Sequence, residues 1–218
     1  MIIYNYMKTI TFILLISTLI YGHTLQFTQS DIAKIKDNPN KNAIIKRIQN
    51  YEALEKKIKN FSTIRKLGHI NSFYNHILPE LDKQKYGISD YWSTRKEFLI
   101  EGRGDCEDYT IAKYFSLLEN GFSKDNLFLA VVQVKGKATK HMVLLYFPRR
   151  DKIPYVLDNL SFRVIPLNKR PSLEVDFIFN EKESYLMKND KISKKVKVNW
   201  GKEDKWNNLL KRVYVNKE

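Results

Sequence analysis

The sequence carries a single cysteine in 218 residues. That excludes an internal disulfide framework and leaves one thiol to be explained. Glycines number eight and prolines six, and no stretch rich in them or in serine marks a linker. No internal repeat or low-complexity tract occurs. HExxH is absent, which argues against a zinc protease, and neither Ser116 nor Ser161 stands in a nucleophile-elbow context. There is no EF-hand loop. Acidic residues are few, 24 against 38 lysines and arginines, for a net charge of +14. The longest apolar run, near residues 10–20, falls short of the ~20 residues that span a bilayer comfortably.

The basic surplus suits an anionic partner, an acidic polypeptide or a membrane surface, or else is a solvated lysine-rich exterior. Lys8, the apolar run after it and Gly22 just before His23 read as a secretory signal over residues 1–22. An uncleaved anchor is the alternative. Export to the periplasm follows from either reading and argues against nucleic acid as the partner. Residues 23–218, within a chain that is 43% apolar with 13 tyrosines and 12 phenylalanines, are expected to form one globular domain.

Helical spacing begins at Ser30, with Ser30 or Asp31 as the cap, and resumes after Asn38-Pro39-Asn40 with Ile44, Ile48, Tyr51 and Leu54 on one side. A second helical region is predicted over residues 61–78; its His69 and His76 lie too far apart along a helix to share a metal ion. Residues 86–94 form a loop whose Tyr91 and Trp92 either line a groove or cover the core. A helix over 105–119 ends at Asn120-Gly121. Strands are predicted at 127–134, 141–147 and 155–157, and further ones at 162–167, 175–179 and 196–200. Trp206, Leu209, Leu210 and Val213 mark a terminal amphipathic helix. A helical N-terminal half followed by an antiparallel sheet is an α+β arrangement.

The chemistry concentrates in Gly102-Arg103-Gly104-Asp105-Cys106-Glu107-Asp108-Tyr109. Asp105 reads as a helix N-cap and Cys106 as a first-turn residue, where the helix dipole favours a thiolate. His141 opens the first hairpin's second strand and Asp158 ends the strand after it. Cysteine, histidine and acid in that order make a nucleophile, a general base and an orienting carboxylate, with the amides of the helix start as an oxyanion hole. Taken singly, His141 can be a strand-end histidine and Asp158 a turn former. Asp105, Glu107 and Asp108 put three negative charges beside the thiol, more than a helix dipole of about half a charge offsets. A divalent cation held by these oxygens would cancel that field, and hard oxygen ligands select Ca2+ over zinc. The alternative is pairing of these acids with Arg103, Lys113 or remote lysines.

Trp92-Ser93-Thr94-Arg95-Lys96-Glu97-Phe98-Leu99, the cysteine stretch, Ala112-Lys113-Tyr114, His141-Met142-Val143-Leu144 and Leu157-Asp158-Asn159 resemble the bacterial transglutaminase-like cysteine proteinases of the LapG type. The resemblance is close over residues 90–159 and loose in the flanks. It implies a papain/transglutaminase-like fold and a periplasmic, calcium-dependent protease with Cys106, His141 and Asp158 catalytic. Asp105 and Glu107 would bind calcium, with Asp108 added for its proximity. It further implies a large cell-surface adhesin, cut in its N-terminal region at an alanine pair, as the substrate, release from a biofilm as the outcome, and sequestration by an inner-membrane cyclic di-GMP receptor of the LapD type. Arg95 departs from the family, whose members tend to carry proline there; the sequence places it in the loop near the groove. Acyl transfer to an amine, amide hydrolysis of cell-envelope peptides, and a non-catalytic binding module on the same scaffold are the competing readings.

Overall fold

The computed structural model describes residues 25–81 and 91–215; the signal sequence and residues 86–90 of the predicted loop lie outside them. Three helices come first: α1 (Gln29–Asp37), α2 (Lys41–Ile58) and α3 (Thr63–Asn75). The cap of α1 is Thr28, one turn before Asp31. Its hydroxyl accepts from the Asp31 amide while Asp31 accepts from the Thr28 amide, a reciprocal capping box. Helix α3 is shorter than predicted. It stops at Asn75, and Leu78–Pro79 (β1) instead pairs in parallel with Arg103–Gly104 (β2), because the residue before a proline is pushed toward extended geometry.

Between these two short strands lies α4 (Arg95–Glu101), and directly after β2 comes α5 (Cys106–Glu119). From Asp108 to Leu118 every residue of α5 is buried, which explains its lack of a polar face. A seven-stranded antiparallel sheet follows. It comprises β3 (Leu127–Val134), β4 (Lys140–Tyr146), β5 (Tyr155–Asp158), β6 (Ser161–Pro166), β7 (Leu173–Phe179), β8 (Ser184–Lys188) and β9 (Lys191–Val196), in the order β6-β5-β4-β3-β7-β8-β9. A 3-10 turn (Leu167–Lys169) leaves β6, and α6 (Lys205–Val215) ends the described chain.

The α+β arrangement is as the pattern predicts. Strand β3 is buried on both faces, so it reads as a continuous apolar run. Leu127 and Leu129 join the core shared with α3, α5 and α6. Phe128, Ala130 and Val132 join a second core with Leu145, Val156 and Leu167. Tyr185, Met187 and Ile192 of the β8–β9 hairpin pack on that second core too, so the sheet curls around it. The strand predicted at 196–200 is displaced: β9 ends at Val196 where that segment was to begin, and β8 had no counterpart.

Candidate active site

The turn that presents the cysteine is fixed from both sides. Thr94 and Glu97 form the capping box that starts α4, and Gly102 ends it in the left-handed region at φ 72°. Arg47 of α2 donates to the carbonyl oxygens of Leu99 and Ile100 at the end of α4. Gly104 is required by a close approach: a Cβ there would overlap the Asp108 carboxylate. Asp105 takes the N-cap position of α5 by its backbone, without a side-chain capping bond, and Cys106 is the first helical residue.

The sulfur is largely enclosed. It donates to Glu107 Oε2 at 2.9 Å, and the Met142 backbone nearby favours its charged form. One helical turn on, Thr110 Oγ1 donates to the Met142 carbonyl at 3.1 Å. Thr110, at i+4 from Cys106, thus ties Met142 to α5 and docks β4 onto the helix, with His141 the residue just before it in the strand. His141 is 9% exposed and Asp158 1%. His141 Nε2 meets Asp158 Oδ1 at 2.8 Å. With Nε2 committed to the acid, Nδ1 is the ring nitrogen left for a thiol.

Asp158 is bonded on all sides. Oδ1 also accepts the Leu160 amide at 2.9 Å, and Oδ2 accepts Arg170 Nη2 at 2.6 Å. Asn75 of α3 donates to the Asp158 carbonyl at 2.8 Å. Burial alone would raise the pKa of this carboxyl. The bond and charge of His141, the Leu160 amide and Arg170 outweigh it and bring the pKa down to about 2. Cys106 goes the other way. Burial pushes the thiol far above its ordinary value, and the charge and hydrogen bond of Glu107 push it further, against the Met142 backbone. The dipole of α5 therefore does not by itself deliver a thiolate; burial, with the carboxylate beside it, wins.

The three acids proposed for a metal divide into two kinds. Asp105 and Glu107 stand half-buried at the turn, whereas Asp108 is fully buried, with Oδ1 accepting the Ser93 amide at 2.8 Å. Among the described residues no group of three or more His, Cys, Asp or Glu side chains is gathered to hold a metal ion. Asp105 and Glu107 have the hard oxygen chemistry that suits calcium, and backbone oxygens would have to complete the set. Arg103 pairs with Glu80 at 3.2 Å, and Lys113 reaches Asn75 Oδ1 at 2.7 Å.

Trp92 is core. Its ring lies against Phe179, Trp200 and Trp206, and Tyr91 donates to Glu97 at 3.2 Å. His69 packs at a tilt on Phe61, and His76 edgewise on Phe162. Arg95 is not in a loop near a groove. It is the first residue of α4, 5% exposed, paired with Glu119 and Tyr51. Sequence reasoning missed Arg170, Asn75 and Arg47. Lys113 left a signal, being the one cation on α5 and set in its buried stretch.

The model of a known family, the bacterial transglutaminase-like cysteine proteinases, matches residues 40–182. Among solved structures, Legionella pneumophila LapG in an EGTA-treated form is similar at TM-score 0.70 and 29% identity, over 83% of this chain and 94% of that one. The same Legionella protein matches in two further forms at TM-score 0.68 and 28% identity. One covers 83% of this chain and 92% of that one; the other, calcium-bound, covers 84% and 96%. No curated protein sequence is significantly similar. The fold is thus transglutaminase-like, and the chain belongs to the bacterial transglutaminase-like cysteine proteinases.

Proposed function

We propose that this protein is a calcium-dependent periplasmic cysteine endopeptidase that cuts the N-terminal region of a large cell-surface adhesin and so releases cells from a biofilm. The observation that supports the chemistry is the His141–Asp158 hydrogen bond at 2.8 Å, on a strand whose next residue, Met142, is tied to Thr110 one helical turn past Cys106. In the reaction the imidazole takes the thiol proton and the sulfur attacks the peptide carbonyl. The tetrahedral oxyanion is met by amides at the start of α5. Collapse breaks the C–N bond, and the histidine passes its proton to the leaving amine. Water, deprotonated by the same histidine, then hydrolyses the thioester and frees the thiol and a carboxylic acid.

Asp105 and Glu107 would hold calcium, with Asp108 behind them anchored to Ser93. Bound there, the ion supplies positive charge that offsets the carboxylates now raising the thiol's pKa. The calcium-bound form of the Legionella relative supports this reading. An inner-membrane cyclic di-GMP receptor of the LapD type is the proposed partner. Among the described residues no helix is long and apolar enough to cross a membrane.

The test is cleavage of a recombinant adhesin N-terminal segment by the purified chain, with calcium and with EGTA. The expected result is a single cut in calcium, lost in chelator and in Cys106→Ala. Cleavage by Cys106→Ala would sink the thiol mechanism, and incorporation of an added amine in place of cleavage would favour acyl transfer.

A further inference from the structure

We propose that Arg170 is a positioning residue for the His141–Asp158 pair, fixing the carboxylate's orientation and tempering its pull on the imidazole proton. This rests on the endopeptidase reading only for its consequence in turnover. A lone Asp–His hydrogen bond leaves the carboxylate free to rotate about Cβ–Cγ. Here Oδ1 serves His141 and the Leu160 amide, while Oδ2 is held by Arg170 Nη2 at 2.6 Å. Both oxygens are committed, so the plane of the carboxyl is set.

Arg170 is itself anchored. It follows the 3-10 turn whose Leu167 is 2% exposed in the second core, and the Leu167 amide donates to the Pro154 carbonyl at 2.9 Å. Its amide donates back to the Leu167 carbonyl at 2.8 Å, and its side chain is 14% exposed against a fully enclosed Asp158. The second terminal nitrogen of the guanidinium is buried with no protein partner among the described residues, so the carboxylate is its main anchor.

The electrostatic consequence follows from sign. An ionised Asp158 favours imidazolium at His141, and a cation on the far oxygen offsets part of that field. Lys113 of α5, fully buried with its Nζ on Asn75 and its pKa pushed down to about 7 by burial, faces the same carboxylate. The groups around Asp158 are therefore His141 from β4, Lys113 from α5, the Asn75 amide from α3 and Arg170 from the turn after β6.

The experiment is NMR titration of the His141 Cε1–H signal in the calcium-loaded full chain, one of only four histidines, for wild type, Arg170→Lys, Arg170→Met and Arg170→Gln. In Met and Gln the His141 midpoint is expected to rise by about one pH unit, with Lys staying near wild type. On the adhesin segment kcat/KM is expected to fall roughly tenfold or more in Met, with KM little changed and partial rescue in Lys. Titrations of folded Met and Gln variants that superimpose on wild type, with only the melting temperature lowered, would overturn the assignment. A wild type that cleaves nothing would sink the endopeptidase reading and leave the titration to judge Arg170 alone.

Discussion

Arg95 and Glu55 show how much one side chain can matter away from the nucleophile. Arg95 occupies the first position of α4, where an N–H has no intrahelical partner, so arginine and proline interchange there on backbone grounds. Their side chains do not interchange. The guanidinium runs inward to Glu119 and to Tyr51 Oη, which it meets at 2.8 Å. Arg95→Met should cost about 3 kcal/mol by urea unfolding, because it strands the largely enclosed Glu119 charge. Adding Glu119→Gln should recover part of that loss; an additive double mutant would show that the two do not act as a pair. Glu55 borders the same cluster, taking Asn120 Nδ2 at 2.7 Å. Burial first, then the Glu119 charge, raises its pKa to about 7 from an ordinary 4.5. Between those values the folded state holds a proton that the unfolded state has released, so stability declines as pH climbs from about 4.5 to 7. Glu55→Gln should flatten that decline and leave the protein more stable than wild type at pH 8, read as urea midpoints at pH 5 and pH 8.

Among the elements, the start of α5 depends on Gly104 in a way its spacing only hints at. Any Cβ there collides with Asp108, whose other oxygen holds the Ser93 amide. Gly104→Ala should cost about 1–3 kcal/mol and lower kcat/KM more than the melting temperature explains, since Asp108 or the helix start must shift beside Cys106. Equal melting temperature and activity would show that the turn absorbs the methyl. The glycines, cysteine, histidine and aspartate of this site were legible because each is a chemically distinctive residue at the edge of an element with clear periodicity. Arg170 was not, since its partner is reached only after the β5–β6 hairpin folds back. Nor was β9, whose Lys191, Lys194 and Lys195 break the alternation of a half-buried strand. A signal existed: Asn189 and Asp190 both take positive φ, 49° and 58°, the two-residue hairpin turn that such residues favour.

Taken as a whole molecule, the C-terminal helix connects most directly to the thiol through a chain of contacts that runs across the core. Trp206 of α6 is 5% exposed and packs against Trp92, Phe115 and Phe179, while its indole N–H donates to the Asn180 carbonyl at 3.2 Å. Arg212 donates to the Trp92 carbonyl. Trp92 precedes Ser93, Ser93 holds Asp108, and Asp108 sits two residues past Cys106. Trp206→Ala should therefore do two things. It should remove about 3–5 kcal/mol of stability through the cavity it leaves. It should also loosen the start of α5 under conditions where the protein stays folded, because Trp92 loses its backing. Native-state hydrogen exchange separates these effects. Faster exchange at Ser93 and in the first amides of α5, with β3 and β4 unchanged, would place α6 in support of the nucleophile; uniform acceleration across the sheet would mean that Trp206 contributes bulk stability alone.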